Sequence, residues 1–293
     1  RLLFDGTSPL FAIDADRPGT GKTLLAKIIS ILQTGSESGV TAFPPDEDQT
    51  NKKVTAILTE GRPFNVFDNV ARVVDSGPLA ALATSEVWVD RRLQTSDTLR
   101  LPNRGVWVLT GNRIDMSREI RRRTVEIQLA PRPRDENREY KHEDIERWSK
   151  ENRGRLVWAV LTLIARWRAL GSVPGRQYLK SYVEWAHVVG GILEAAQIEG
   201  FLDNRDRHRV EVDDESAAEL EFFEGWERTL GPRPMKARDL VDLAEQVELA
   251  CIARRAGVRE VRTALGCYLS RGANHPELMP DGFEVVRKVD RTS

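Results

Sequence analysis

The sequence is poor in the residues that staple small folds or bind soft metals. Two cysteines, Cys251 and Cys267, lie far apart without a CxxC spacing, and the four histidines are scattered. A disulfide scaffold is excluded and a zinc site finds no support; a reducing, cytoplasmic setting is the expectation. Long hydrophobic runs are also missing. The longest nearly apolar stretch, Leu156 to Ala165, is closed by Arg155 and Arg166, well short of the roughly 20 residues a membrane span needs. Neither a membrane segment nor a signal-peptide pattern is expected. Charge of one sign is not in excess either: Lys+Arg number 44 and Asp+Glu 45, so a chain-wide field that would gather polyanions is excluded. Lysine is scarce, 9 residues against 35 arginines. That bias suits forked contacts to phosphate or carboxylate, and codon composition accounts for it equally well.

What remains is an ordinary globular composition. The chain has 293 residues, 40% hydrophobic and 30% charged, enough for two domains at roughly 150 residues each. It opens at Arg1 without a methionine and is expected to be part of a longer protein. The balanced total hides local imbalance: residues 86 to 134 carry eleven arginines against six acids, and residues 201 to 230 carry ten acids against four arginines. Local fields of this kind steer ligands more than the total does.

Along the first 130 residues, short apolar strands alternate with helical patterns. Leu10 to Ile13 reads as a buried strand, followed by a glycine-rich turn and a helix from Lys22 to about Leu32. Val40 to Phe43 is a second strand, after which Pro44-Pro45-Asp46 opens a helix. Phe64 to Phe67 is a third strand, and a helix is expected around Pro78 to Thr84. Val87 to Val89 and Thr98 to Leu101 read as a hairpin. Val106 to Leu109 and Val125 to Leu129 complete five core strands. This alternation predicts an α/β fold with a parallel sheet.

Beyond Pro131 only helices are expected for a hundred residues: about 143 to 150, 153 to 169, 181 to 197 and 214 to 229. Ser181 and Glu184 have capping-box spacing, and Gly190-Gly191 is positioned to break or kink the third helix. After Gly231-Pro232-Arg233-Pro234 comes a compact tail. Helices at Lys236 to Glu245, 249 to 255 and Glu260 to Leu269, with a strand at Phe283 to Val289, fit a winged helix-turn-helix.

The most specific motif is Pro18-Gly19-Thr20-Gly21-Lys22-Thr23, between a buried strand and an amphipathic helix. Its glycines let backbone N–H groups and the helix N-terminus face phosphates; Lys22 neutralises phosphate charge and Thr23 ligates magnesium. Asp16 occupies the place of the first glycine of the full P-loop pattern. A metal-holding carboxylate at the end of another strand is then required, and Asp68 follows the apolar run Phe64 to Phe67. A turn or helix cap is the alternative role for such an aspartate. Asn112 ends the strand Val106 to Gly111 and is placed to hydrogen-bond the γ-phosphate or water; a turn asparagine before Arg113 is the alternative role. Arg121, Arg122 and Arg123 form a basic cluster without evident acidic partners, which predicts that they face a phosphate, another subunit or solvent.

In this order the four pieces resemble the core of AAA+ ATPases over about residues 8 to 130. The resemblance implies Walker A at Pro18 to Thr23, Walker B ending at Asp68, sensor 1 at Asn112, and an arginine finger at Arg122 or Arg123. It also implies ATP and Mg2+, with Thr23 and Asp68 holding the metal. Most members place a glutamate after the aspartate to activate water; Asn69 stands there and can only orient it. The hairpin resembles the pre-sensor-1 insertion of minichromosome-maintenance and superfamily-3 helicases. Residues 151 to 167 and 184 to 202, with the tail, look like the helicase part of primase-helicases from phages and mobile elements.

The resemblance implies three regions: an ATPase core at 1–130, an all-helical lid at 131–230 and a winged-helix domain at 231–293. It further implies a homo-oligomeric, commonly hexameric, ring with ATP between subunits, acting on single-stranded or duplex DNA beside a primase or origin-binding domain. Arg91, Arg92, Gln94 and Thr95 would contact DNA from the hairpin, where this tip lacks the usual Lys or His. Arg259, Arg262, Arg271, Arg287 and Lys288 would touch phosphates from the tail, and Arg153 or Arg155 would act as sensor 2. The expectation is an ATP-driven DNA helicase; the alternative is an AAA+ protein remodeller or ATP-gated assembly switch.

Overall fold

The computed structural model describes residues 3–71, 73–91, 98–130, 140–204, 220–231, 235–246, 265–266 and 269–270. The chain divides into two compact units, Arg1–Leu202 and Asp203–Ser293.

Among the described residues of the first unit, seven strands and seven helices follow one another: β1 (Leu10–Ala15), α1 (Lys22–Thr34), β2 (Val40–Ala42), α2 (Glu47–Glu60), β3 (Phe64–Val70), α3 (Gly77–Thr84), β4 (Val87–Arg91), β5 (Thr98–Pro102), β6 (Val106–Asn112), α4 (Arg118–Arg121), β7 (Thr124–Gln128), α5 (Ile145–Glu151), α6 (Arg153–Ala169) and α7 (Val183–Ala195). Five strands form one parallel sheet in the order β2-β3-β6-β1-β7, and β4 with β5 forms a separate antiparallel ribbon. The expected parallel α/β sheet is therefore present, and it is compatible with a P-loop-like fold.

Both faces of the sheet are covered, which is why its strands read as apolar runs rather than alternations. On one face Leu10, Ala12, Phe67 and Leu109 pack against Val54, Ile57 and Leu58 of α2 and Leu79 and Leu82 of α3. On the other, Ile13, Val66 and Val108 pack against Ala26, with Leu25 and Ile29 of α1 alongside. Helix α2 begins where the prolines predict, with Asp46 accepting from the Gln49 N–H at 2.8 Å as its cap.

Strands β3 and β6 run further than their apolar residues do, through Asp68 and through Asn112. Their pairing slips near the end: Phe67 faces Leu109 and Val70 faces Gly111. Two residues, Asp68 and Asn69, thus oppose the single residue Thr110, with Asn69 at φ 57°. This is a β-bulge, which bends a strand and re-aims its side chains.

Helices α5 and α6 pack beside α1. Lys27 bridges to Glu146 at 3.1 Å, Lys150 to Glu37 at 2.6 Å, and Arg153 Nε donates to the Ile31 carbonyl at 3.0 Å. Two local expectations for α7 are corrected. The helix starts at Val183 after Tyr182 with no side-chain cap, so Ser181 and Glu184 do not form the capping box. Gly190-Gly191 does not break the helix either. The pair lets the chain at Val173 and Gly175 cross the helix closely: a Cβ on Gly191 would collide with the Val173 carbonyl, which also accepts from Trp167 Nε1 at 2.8 Å.

In the second unit a helix, α8, covers 220–230, and a 3-10 turn at Ala237–Leu240 leads into α9 (Val241–Gln246). The uniform helix expected from Lys236 thus begins as a tighter turn. Phe222, Phe223, Leu240, Ala244, Leu265 and Leu269 form its core. The expected helix at 249 to 255 and strand at Phe283 to Val289 lie outside the described residues, as do residues 214 to 219 of the expected fourth helix.

Candidate functional site

The parallel sheet directs the C-terminal ends of β1, β3 and β6 to one edge, where a P-loop-like fold gathers its chemistry. The turn after β1 is exposed from Asp16 to Gly19. Gly19 and Gly21 adopt φ 77° and 90°, with open space where a Cβ would stand. Glycine is needed there for backbone conformation rather than for room. The curled turn delivers Lys22 as the first residue of α1, a 13-residue helix.

Lys22 is 8% exposed. Its ammonium donates to Asn112 Oδ1 at 2.7 Å, Thr20 Oγ1 at 3.1 Å and the Arg17 carbonyl at 3.2 Å. Two residues 90 positions apart, expected at one phosphate, are in direct contact. One residue on, Thr23 Oγ1 donates to Asp68 Oδ1 at 2.9 Å. Hard oxygen donors of this kind suit magnesium, which usually takes one or two carboxylates and completes its shell with phosphate and water. Among the described residues no group of three His, Cys, Asp or Glu forms a metal cluster. The oxygens of Thr23 and Asp68 are donors of the type that fits magnesium.

Asn69 is exposed, in the left-handed conformation that asparagine tolerates better than most residues. Pro18 lies on the exposed rim of the turn. Two further groups belong to this edge. Thr110, 1% exposed, donates its hydroxyl to Asp68 Oδ1 as well. Asp14, on β1, accepts from the Ala15 N–H at 2.7 Å and the Ile114 N–H at 3.2 Å, so it ties the turn after Asn112 to the root of the glycine loop. Burial pushes the Asp14 carboxyl above the ordinary aspartate range, opposed by these N–H bonds and by the nearby Lys22 charge. Each had a sequence signal: a hydroxyl or a charge inside an otherwise apolar strand.

The arginine cluster lies elsewhere. Thr124 is paired with Leu10, and the Leu10 N–H donates to the Arg123 carbonyl at 2.9 Å. Arg122 and Arg123 thus stand at the opposite end of β1 from the glycine loop, on the order of 17 Å away along a six-residue strand. The expected lack of acidic partners is corrected. Arg123 bridges to Glu119 at 3.0 Å and donates to its carbonyl at 2.8 Å, Arg122 lies 3.6 Å from Glu119, and Arg121 lies 3.7 Å from Asp115. The helical turn of α4 brings Glu119 under both arginines. Arg123 is 13% exposed and tethered, whereas Arg122 is 63% exposed.

Arg153 is also corrected as a phosphate contact. Its guanidinium donates to the carbonyls of Ile31, Leu32 and Gln33. It caps the C-terminus of α1, the far end of the helix from Lys22, where a cation complements the helix dipole. Arg155 is exposed.

The ribbon is anchored by Asp90, which accepts from Asn51 at 3.0 Å and from Thr55, while Trp88 Nε1 donates to Thr55 at 2.8 Å. Its other face presents Val87, Val89 and Arg91 opposite Pro102, Arg100 and Thr98, all exposed. Arg100 joins Arg91 there and was not singled out from the sequence. Arg92, Gln94 and Thr95 lie outside the described residues, as do Arg259, Arg262, Arg271, Arg287 and Lys288. Among the described residues no helix is long and apolar enough to cross a membrane.

No protein-family model and no curated protein matches the chain. Solved structures similar to it include two apo structures of one C-terminal region. One is the A form apo structure of the NrS-1 C terminal region, 13% identical with a TM-score of 0.39, covering 87% of this chain and 59% of that one. The other is the A form apo structure of the NrS-1 C terminal region 305-718, 12% identical with a TM-score of 0.35, covering 91% of this chain and 61% of that one. The chain therefore spans about three fifths of the length of these solved chains.

Proposed function

We propose that the chain is an AAA+ ATPase that binds Mg-ATP at the C-terminal edge of its sheet and drives a DNA helicase or translocase, assembled as a homo-oligomeric, commonly hexameric, ring in phage or mobile-element replication. The observation that carries the nucleotide reading is the convergence of Lys22, Asn112, Thr23 and Asp68 from three separate elements. The Lys22 ammonium leaves a neutral acceptor, Asn112 Oδ1, for anionic phosphate oxygens. Ionic acceptors make roughly twice as strong a hydrogen bond as neutral ones, so the exchange is favourable. The loop N–H groups and the N-terminus of α1 face the same phosphates.

Mg2+, when bound, would neutralise phosphate charge. Thr23 and Asp68 would hold it. Asn112, released by Lys22, hydrogen-bonds the γ-phosphate or the attacking water, and Asn69 orients that water without taking its proton. The exposed Arg122 serves the site of the next subunit, since it stands at the far end of its own sheet.

On the DNA side, Arg91 and Arg100 share one exposed ribbon face, where backbone phosphates give sequence-independent affinity. Asn69 in place of a glutamate favours the second reading, an ATP-gated assembly switch or protein remodeller with slow turnover. ATPase rates with and without single-stranded and duplex DNA separate the two. A DNA motor shows stimulation that is lost in Arg91→Ala/Arg100→Ala; ATP binding with no DNA response favours the switch.

A further inference from the structure

We infer that Thr110 is a positioning residue that holds the metal-binding carboxylate in place; the inference rests on the nucleotide reading above and deepens it. The observation is the β-bulge. Between the pairs Phe67–Leu109 and Val70–Gly111, the residues Asp68 and Asn69 have only Thr110 opposite them. On its other side Asp68 still pairs with Ala42 of β2. The regular ladder that would fix Asp68 against the central strand is therefore interrupted at the residue that must aim a carboxylate.

A side-chain bond spans that interruption. A carboxylate only accepts hydrogen bonds, so both hydroxyls that meet Asp68 Oδ1, Thr23 and Thr110, donate to it. Their roles differ. Thr23 is half-buried at the start of α1 and its oxygen is needed as a metal ligand. Thr110 is 1% exposed inside the sheet, where close packing holds its side chain. It is the fixed donor of the two. Partners outside the ligand shell orient ligating carboxylates, and removing one costs about 10- to 100-fold in metal affinity or activity.

The test uses the full chain and a fluorescent ATP analogue, titrated with excess Mg2+ or with EDTA. Thr110→Val keeps the branched shape and removes the donor; Thr110→Ser keeps the donor. Thr110→Val is expected to bind the analogue like wild type in EDTA and to lose about tenfold of the Mg2+-dependent gain in affinity. Thr110→Ser is expected to retain the gain. Should Thr110→Val fail to fold, Thr110→Ala removes the same donor without adding a methyl group to the buried position. An undiminished Mg2+ gain in Thr110→Val, or an equal loss in Thr110→Ser, overturns the inference, because the hydroxyl then does not position Asp68. Absence of analogue binding by the wild type in either buffer overturns the nucleotide reading itself, an outcome that needs no variant to recognise.

Discussion

Lys22 at one end of the central sheet and Arg121, Arg122 and Arg123 at the other are held differently. At the C-terminal end Lys22 is almost fully buried, and its acceptors are a neutral side chain, a hydroxyl and a carbonyl. At the other end each arginine has a carboxylate within 4.0 Å. A buried ammonium whose hydrogen-bond acceptors are all neutral can exchange one of them for an incoming anion at a gain. An arginine shared with Glu119 is already partly neutralised, and only the exposed Arg122 can exchange that partner without disturbing the fold. In the proposed site the Lys22 end is thus assembled within a single chain, and the exposed Arg122 at the other end is proposed to serve the next subunit.

The sharpest way to break this contrast is at Arg122. Arg122→Ala is expected to lower ATP turnover by about 10³-fold, the scale of an arginine finger, with little change in thermal stability. Mixing it with Lys22→Ala protein restores part of the activity, because one interface in the mixed assembly then has both groups. No recovery on mixing removes the intersubunit role. Arg123→Ala is expected to behave in the opposite way, costing about 1 kcal/mol of stability through its tethers.

Asn69 sharpens the comparison at the nucleotide end. If it merely orients water, Asn69→Glu adds a base and raises turnover by about tenfold or more. The left-handed backbone there disfavours glutamate by about 1 kcal/mol, so Asn69→Gly serves as the control for the backbone. A fall in Asn69→Glu accompanied by a loss of thermal stability assigns Asn69 a structural task.

Asp14 supplies a smaller, pH-dependent difference. Its carboxyl is raised by burial in the folded state, so its contribution to stability is fully present below the unfolded pKa and is lost as pH rises through the folded one. Wild type is therefore expected to lose stability relative to Asp14→Asn as pH rises above the ordinary aspartate value of about 3.9, read as the difference in urea midpoints. A difference that is flat with pH contradicts this. Smallest of all, Arg153→Ala is expected to cost about 1 kcal/mol through the lost helix cap and to leave ATP affinity unchanged; loss of ATP affinity would return Arg153 to the phosphates.

The parts of this site that were legible in the sequence are local. The glycine loop is read from six consecutive residues, and Asp68 and Asn112 from their place after apolar runs, since a parallel sheet brings such ends together. Thr110 and Asp14 were not legible, although each stands out as polar in a buried strand. Their meaning comes from pairing: the bulge exists only in the register of β3 against β6, and Asp14 acts across to Ile114. The Glu119 pairs are the instructive miss, because an i,i+4 spacing was in plain view and the arginines were read without it. Gly190-Gly191 was misread because a helix that tolerates two glycines owes it to a neighbour, the strand of chain through Val173 and Gly175, which no local pattern reveals.

The most direct test of the central claim is ATP binding by wild type and by Lys22→Ala at matched folding, judged by circular dichroism. Loss of a charge-assisted contact of about 1.5–3 kcal/mol predicts a 10- to 100-fold weaker affinity in the variant. Equal affinity in the two proteins would contradict a phosphate site at the C-terminal edge of the sheet.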